Sequence, residues 1–166
     1  NIKKDSFFKM FSLSTKFKIK CASLISDFLI IFLGEKNRTI KRNNINYYIN
    51  LREGIDLGIF LGIKNEVSIA KIKKIINTEE KKVIMDIGAN IGSVSLPLAN
   101  MFKNSKIVSI EPTIYAFSKL KKNVSLNPSL KSRIKLENSF ISNKSKSVKE
   151  VHSSWNFSDN DKKHKG

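Results

Sequence analysis

The chain has 166 residues and a mass of 18.9 kDa, which allows one domain with a sizeable hydrophobic core. Its 31 lysines and arginines exceed its 14 acidic residues, so the net charge is +17. One cysteine and two histidines exclude a disulfide framework and argue against a metal site, and no apolar run reaches the roughly 18 residues that a membrane-spanning helix needs.

The positive charge raises the question of nucleic-acid binding, because basic domains attract phosphates. Only four of the basic residues are arginines, the residue type that makes bidentate contacts with phosphates and bases. The lysines form scattered pairs such as Lys73-Lys74 and Lys121-Lys122, as expected for solvent-exposed helix faces. We therefore expect no specific nucleic-acid partner, although the charge is compatible with attraction to an anionic membrane or an acidic glycan.

Residues 1–42 form a basic and apolar segment around the hydrophobic stretch 21–34, and Asn1 in place of Met indicates a start within a longer protein. Gly34 is a plausible stop for a helix through this stretch. The apolar residues at helical spacing are Leu24, Phe28, Ile31 and Phe32. This spacing predicts an amphipathic helix whose apolar face covers the core.

Two alternatives to a core-covering helix stay open for this segment. The first is peripheral contact with a membrane, which Lys16, Lys18 and Lys20 would assist. The second is a signal peptide, which is disfavoured because no small-x-small cleavage site follows the apolar run. We expect a cytoplasmic protein, and the alternative is a cytoplasmic protein that contacts a membrane peripherally.

Residues 43–80 are predicted to form an entry strand and a helix. Ile45–Leu51 is β-branched and aromatic with partial alternation, which predicts a strand, and Arg52–Asp56 is expected to turn. Asn65–Asn77 has isoleucines at an approximate 3.6-residue period with lysines opposite, which predicts a helix.

Residues 81–143 alternate between strand and helix patterns, and Val83–Ile87 is typical of a parallel strand covered on both faces. The remaining predicted elements are helix Ile91–Phe102 with a kink or a shortened end at Pro97, strand Ile107–Ile110, helix Ile114–Leu126 and strand Ile134–Leu136. This order predicts an α/β fold with a Rossmann-like, doubly wound parallel sheet. Residues 144–166 have the composition of a polar loop.

The chemistry lies in the turns after the first two strands of that sheet. Asp86 and the spacing Gly88-x-x-x-Gly92 follow the first strand, and Glu111 follows the second, 25 residues beyond Asp86. Gly88 allows a sharp turn, Gly92 would let the helix approach a ligand, and Glu111 is placed to accept hydrogen bonds from both hydroxyls of a ribose.

The same turns discriminate between nucleotide ligands. A dinucleotide site requires G-x-G-x-x-G, whose central glycine is missing here, and an acidic residue ahead of the loop repels phosphates. S-adenosylmethionine has no phosphate, offers an amino group to Asp86 and keeps the ribose for Glu111. The sequence therefore favours this cofactor.

Residues 83–143 resemble class I S-adenosylmethionine-dependent methyltransferases, and more narrowly the FkbM-type family. The resemblance lies in Asp86–Gly92, in Ile110–Pro112, in the entry segment Asn50–Leu57 followed by Glu66, and in Ile141–Asn143. It implies transfer of a methyl group, usually to a hydroxyl oxygen of a sugar or natural product. The implied partner is a small-molecule or glycan acceptor.

The resemblance also implies which residues bind the cofactor. These are Asp86, Gly88, Ala89, Asn90, Gly92, Glu111, Pro112, Ser139 and Phe140. The residues from Asp86 to Gly92 would border the methionine end and Glu111 the ribose, whereas Ser139 and Phe140 would lie near the adenine. Phe140 either stacks on the base or belongs to the core. No catalytic base is assigned, because His152 and His164 are expected at the surface.

A class I methyltransferase sheet normally has seven strands, and this chain offers three after its entry segment. We therefore expect an amino-terminal portion truncated after the third core strand, inactive by itself, with the acceptor-binding groups further along. The alternative is a non-catalytic basic binding protein with a degenerate Rossmann-like domain that contacts RNA or an acidic surface. The pair Asp86 and Glu111 favours the enzyme.

Overall fold

The computed structural model describes residues 14–63, 71–72, 75–76 and 79–143, and the backbone of 152–153 and 164–165. The helices are α1 (Thr15–Leu33), α2 (Gly54–Phe60), α3 (Ser95–Met101), α4 (Ile114–Ser125) and α5 (Pro128–Lys131). The strands are β1 (Asn37–Arg42), β2 (Ile45–Asn50), β3 (Val83–Ile87), β4 (Lys106–Ile110), β5 (Ile134–Glu137), β6 (His152–Ser153) and β7 (His164–Lys165). Most of the predicted helix Asn65–Asn77, with Glu66, lies outside the described residues.

A parallel sheet in the order β3-β4-β5 forms the centre of the fold, which confirms the predicted α/β class. Ile84 pairs with Ile107, and Ile107 with Ile134, so these three residues lie on one face of the sheet. All five strand and helix predictions between residues 83 and 136 correspond to elements of the structure, although α3 begins at Ser95 rather than at Ile91. Pro97 therefore lies in the first turn of α3, where its missing N–H costs nothing and no kink is required.

The two faces of β3 have different surroundings. Ile84 and Asp86 face α3, and their neighbours on β4, Ile107 and Ser109, are fully buried. On the opposite face Val83 and Met85 are more than half exposed. The prediction that this strand is covered on both faces is therefore wrong for the elements that the structure describes. β3 is also an edge strand there, because its ladder partner is β4 alone.

The entry segment forms a separate antiparallel hairpin from β1 and β2. Asn43 and Asn44 make its two-residue turn with φ values of 49° and 62°, the left-handed conformation that tight hairpins need and asparagine tolerates. β1 was not predicted from the sequence. The predicted turn Arg52–Asp56 is also wrong, because α2 already begins at Gly54.

Two asparagines bind the outer edge of β2 in place of another strand. The Tyr48 N–H donates to Asn123 Oδ1 at 2.7 Å, and the Asn46 N–H donates to Asn127 Oδ1 at 2.9 Å. Asn123 Nδ2 also donates to the carbonyl of Ile91 at 2.9 Å, so one side chain joins the hairpin, α4 and the loop after β3. The hairpin is thus fixed against the helices that flank the parallel sheet.

Helix α1 ends where the sequence predicts but packs through a different face. Gly34 has φ 80° and its N–H donates to the Ile30 carbonyl at 2.9 Å, which is a left-handed helix cap. Ser26 is fully buried, and the side chains that pack against the core are Ala22, Leu29, Ile30 and Leu33. The predicted core-facing residues, Leu24, Phe28, Ile31 and Phe32, are instead exposed.

The apolar periodicity of α1 does not select a face, because apolar residues occur on both sides of the helix. Small side chains such as Ala22 and Ser26 let the backbone approach the core closely, and they select the face that packs. Over the residues with described structure, α1 and the other helices fall short of the length and apolarity that crossing a bilayer requires. The cytoplasmic location stays a prediction.

Candidate functional site

The turns that follow β3 and β4 meet at the carboxyl edge of the parallel sheet. The N–H groups of Gly88 and Ala89 both donate to the carbonyl of Ile110, the last residue of β4, at 2.9 and 3.0 Å. The first turn is therefore held directly over the end of the neighbouring strand. This brings together Asp86, Glu111 and the loop 88–92, as predicted for a doubly wound sheet.

The loop 88–92 needs three positive φ angles: 79° at Gly88, 50° at Asn90 and 88° at Gly92. A Cβ added to Gly92 would lie 2.9 Å from Leu120 Cδ1, so this glycine is required for packing against α4. Its predicted role of letting the helix approach a ligand stays a prediction. A Cβ on Gly88 would have no heavy atom within 4 Å, so Gly88 borders open space.

Asn90 shapes the same loop with its side chain. Asn90 Oδ1 accepts a hydrogen bond from the Ile91 N–H at 2.8 Å. The backbone N–H of Asn90 donates to Glu111 in the turn after β4. Ala89 and Ile91 are buried, so the loop is anchored on both sides of Asn90. The backbone around Gly88 and Asn90 is thus held in one conformation beside the open space.

Glu111 is the centre of the second turn and is 5% exposed. Its Oε2 accepts the N–H of Asn90 at 2.9 Å. Its Oε1 accepts both the N–H and the hydroxyl of Thr113, at 2.9 and 2.6 Å. Asn138 Nδ2 donates to the carbonyls of Glu111 and Pro112, at 2.8 and 3.1 Å, which ties this turn to the residues after β5.

These contacts bear on the predicted grip of Glu111 on two ribose hydroxyls. A carboxylate offers about four acceptor positions, and protein donors occupy three of those of Glu111. The remaining position is on Oε2, beside Asn90. Glu111 can therefore accept one further hydrogen bond. Its other three hydrogen bonds hold the two turns in place.

Asp86 lies in a short chain of hydrogen-bonded hydroxyls. Ser109 Oγ donates to Ser95 Oγ at 2.7 Å, and Ser95 Oγ donates to Asp86 Oδ2 at 2.5 Å. Burial raises the pKa of Asp86 above its ordinary value, the bonds from Ser95 oppose this rise, and the charge of Glu111 adds to it. Two carboxylates at one strand edge make the site unfavourable for phosphate.

The residues after β5 follow Asn138, which ties them to the turn after β4. Ser139 is exposed and Phe140 is 53% exposed, so Phe140 does not belong to the core of the described residues. An exposed phenyl ring at the end of a strand adjacent to β4 is available for stacking. Pro112, the remaining predicted site residue, is half-buried beside Asn138.

Sequence reasoning missed the polar residues that support the site, namely Ser95, Ser109, Thr113 and Asn138. Their contacts join residues on different elements, except at Thr113, which lies two positions after Glu111.

Two acidic residues of the entry segment form a buried charge cluster with α4. Lys119 Nζ pairs with Glu53 Oε2 at 3.0 Å and with Asp56 Oδ2, and the Tyr115 hydroxyl donates to Glu53. Burial raises the pKa of Asp56 to about 6, although Lys119 opposes the rise. This cluster fixes α2 against α4, whose first turn follows Glu111.

In the part of the chain with described side chains, no three His, Cys, Asp or Glu residues are grouped to hold a metal ion. The side chains of His152 and His164 lie outside that part, so their expected surface positions stay predictions.

No family model matches the sequence, and no curated protein matches it. Among solved structures, the chain is similar to a transferase candidate from Pyrococcus horikoshii, with 24% identity over 69% of this chain and 46% of that one and a TM-score of 0.48. TYW2 of P. horikoshii, in complex with MeSAdo, is 22% identical over 69% of this chain and 46% of that one, with a TM-score of 0.46. A SAM-dependent O-methyltransferase from Thermotoga maritima is 16% identical over 66% of this chain and 43% of that one, with a TM-score of 0.41.

The chain thus spans less than half of the length of the first two structures. All three TM-scores lie below 0.5, so these likenesses carry no weight for the chemistry of the site. What the site can do follows from its own contacts: it can bind a neutral or cationic ligand with a hydroxyl donor beside Glu111 and a flat group beside Phe140.

Proposed function

We propose that this chain carries the S-adenosylmethionine-binding part of a class I methyltransferase. The observation that supports this most is the hydrogen bond from the Asn90 N–H to Glu111 Oε2, which fixes the loop beside the open space at Gly88. When bound, S-adenosylmethionine supplies an electrophilic methyl group on its sulfonium. The chain's own residues would bind and orient that cofactor.

The proposed contacts follow from the chemistry of the residues present. Asp86 attracts the amino group of the methionine end, and the loop at Gly88 and Asn90 borders it. The remaining acceptor position of Glu111 binds one ribose hydroxyl. Ser139 and Phe140 border the adenine, with the Phe140 ring stacked on its face. Ala89, Gly92 and Pro112 act through the backbone by keeping these groups in place.

The acidic character of the site supports this cofactor over a dinucleotide. Asp86 and Glu111 stand at the ends of adjacent strands, and a pyrophosphate there would be repelled by both carboxylates. The loop also lacks the central glycine with which dinucleotide-binding loops approach a pyrophosphate. A cofactor that carries an amino group and no phosphate removes both conflicts.

For the acceptor we propose a hydroxyl oxygen of a sugar or a natural product. The support is the resemblance of Asn50–Leu57, Asp86–Gly92, Ile110–Pro112 and Ile141–Asn143 to the FkbM-type family. Methyl transfer needs an acceptor oxygen in line with the reacting bond and a group that orients its proton. Within the described residues we assign no group that positions the acceptor oxygen and none that orients its proton. We propose that the 166 residues alone do not catalyse methyl transfer.

Isothermal titration with S-adenosylhomocysteine and with NAD tests the proposed cofactor. We expect micromolar binding of S-adenosylhomocysteine and no heat from NAD at the same concentrations. Tighter binding of NAD would contradict the proposal and indicate a dinucleotide site. Binding of neither ligand, together with retention on an RNA column, would favour the non-catalytic basic binding protein.

A further inference from the structure

The face of α1 that points away from the protein is apolar. Large side chains are exposed on this helix, and those opposite the buried Ser26 are Phe17, Leu24, Phe28, Ile31 and Phe32. With 3.6 residues per turn, these five fall within an arc of about 100° centred opposite Ser26. We name this set the α1 outer face.

The other side of α1 is fixed to the protein, so the outer face cannot turn inward. Leu29 and Leu33 pack against the core on the same side as Ser26. Asp27 forms an ion pair with Arg52 at 2.7 Å, which ties the helix to the loop before α2. The α1 outer face therefore stays exposed when the rest of the helix is packed.

Lysines border the amino-terminal end of the α1 outer face on both sides. At about 100° per residue, Lys16 and Lys20 lie on one flank of the apolar arc and Lys18 on the other. All three are exposed. This arrangement matches a helix that lies in a membrane interface, where apolar side chains enter the acyl boundary and lysines extend to anionic headgroups.

We propose that α1 docks this chain on an anionic lipid bilayer, with the α1 outer face inserted and the helix parallel to the surface. The inference is independent of the proposed methyltransferase function. The residues predicted to cover the core are exposed instead, and contact with a bilayer explains why this exposed surface is apolar.

Charge favours a lipid surface over a second copy of the chain as this occupant. A symmetric dimer through the α1 outer face would bring together two chains that each carry a net charge of +17, and their mutual repulsion opposes it. Anionic headgroups would neutralise the flanking lysines. An apolar face with basic flanks is therefore complementary to an acidic bilayer and not to itself.

Co-sedimentation with vesicles tests this docking surface with the full chain. We expect binding to vesicles of phosphatidylglycerol and phosphatidylcholine, weaker binding at high salt, and no measurable binding to phosphatidylcholine alone. The double variant Phe28→Glu/Ile31→Glu should lower the partition coefficient by about tenfold or more, because it removes two inserted side chains.

The matched control is Val83→Glu/Met85→Glu, which makes the same charge change at two exposed apolar residues of β3. Circular dichroism verifies that both variants stay folded. Equal partitioning of the two double variants would overturn the proposal, since charge alone would then explain binding. So would a wild-type dimer in light scattering that only the α1 variant converts to monomer.

Discussion

The N–H of Asn90 donates to Glu111 Oε2 at 2.9 Å across the ends of two neighbouring parallel strands. This bond joins the turn after β3 to the turn after β4, although the two residues are 21 positions apart in the chain. Glu111 thereby holds the loop that borders the open space at Gly88. The acidic residue has a structural role in addition to its proposed contact with a ribose.

Replacing Glu111 by glutamine tests that structural role. Glutamine keeps one acceptor oxygen but presents an NH₂ group to either Asn90 or Thr113, so one set of buried hydrogen bonds is lost. We expect Glu111→Gln to lower the free energy of unfolding by about 1–3 kcal/mol in urea denaturation.

The matched control for this variant is Glu137→Gln at the end of β5. Glu137 forms a surface ion pair with Lys135 at 2.7 Å, and solvent screening makes such exposed pairs contribute little to stability. Equal effects of the two substitutions would show that the Glu111 contacts do not stabilise the turn.

Gly92→Ala tests the close approach of the loop to α4. The new Cβ would meet Leu120 Cδ1 at 2.9 Å, and the positive φ of 88° adds backbone strain. We expect a loss of roughly 2–4 kcal/mol in thermal or urea unfolding.

Gly34→Ala separates the two causes of that loss. Gly34 has a similar φ of 80° but no atom within 4 Å of a Cβ, so only the backbone cost of about 1 kcal/mol remains. If the two alanine variants unfold at the same urea concentration, Gly92 is not required for packing.

The pKa of Asp56 predicts how stability depends on pH. Burial raises this pKa to about 6 from 3.8, so between pH 4 and 6 the folded state binds a proton that the unfolded state has released. Stability from this group is therefore present below pH 4 and is lost as pH rises through 6. The loss is about 3 kcal/mol at most, since one pKa unit corresponds to about 1.4 kcal/mol.

Urea denaturation of the wild type and of Asp56→Asn from pH 4 to 7 isolates this effect. Asparagine does not titrate, so the difference in unfolding free energy between wild type and variant should fall across that range. A difference that is constant with pH would mean that Lys119 keeps Asp56 ionised throughout.

Phe140→Ala tests the proposed stacking platform without disturbing the core, because the ring is more than half exposed. Loss of a stacked base should weaken S-adenosylhomocysteine binding by about tenfold in calorimetry. Ile141→Ala is the control, since Ile141 is its similarly exposed neighbour. An equal, small effect of both substitutions would remove Phe140 from the site.

The sheet and its strand ends could be predicted because they depend on local patterns. The apolar runs at Val83–Ile87 and Ile107–Ile110 and the glycine spacing after Asp86 are all visible in the sequence. The partners of Asp86 and Glu111 could not be predicted in the same way. Ser95 and Asn138 reach the site through the packing of separate elements.

Helix α1 and strand β1 were misjudged for two different physical reasons. In α1, apolar residues occur on two opposite sides of the helix, so packing of the small side chains at Ala22 and Ser26 decides the buried face. In β1, the run Asn37–Arg42 is mostly polar or basic and gives little hydrophobic signal. The only local indication of the hairpin was Asn43-Asn44, a pair that tolerates the left-handed turn.

We propose that S-adenosylmethionine binds where the turns after β3 and β4 meet. Amide NMR during titration with S-adenosylhomocysteine measures this directly. We expect saturable shifts at Gly88, Asn90 and Phe140, and none at Ile40 in β1 or Lys131 in α5. Shifts that avoid Gly88 and Asn90, or the same shifts produced more strongly by NAD, would contradict it.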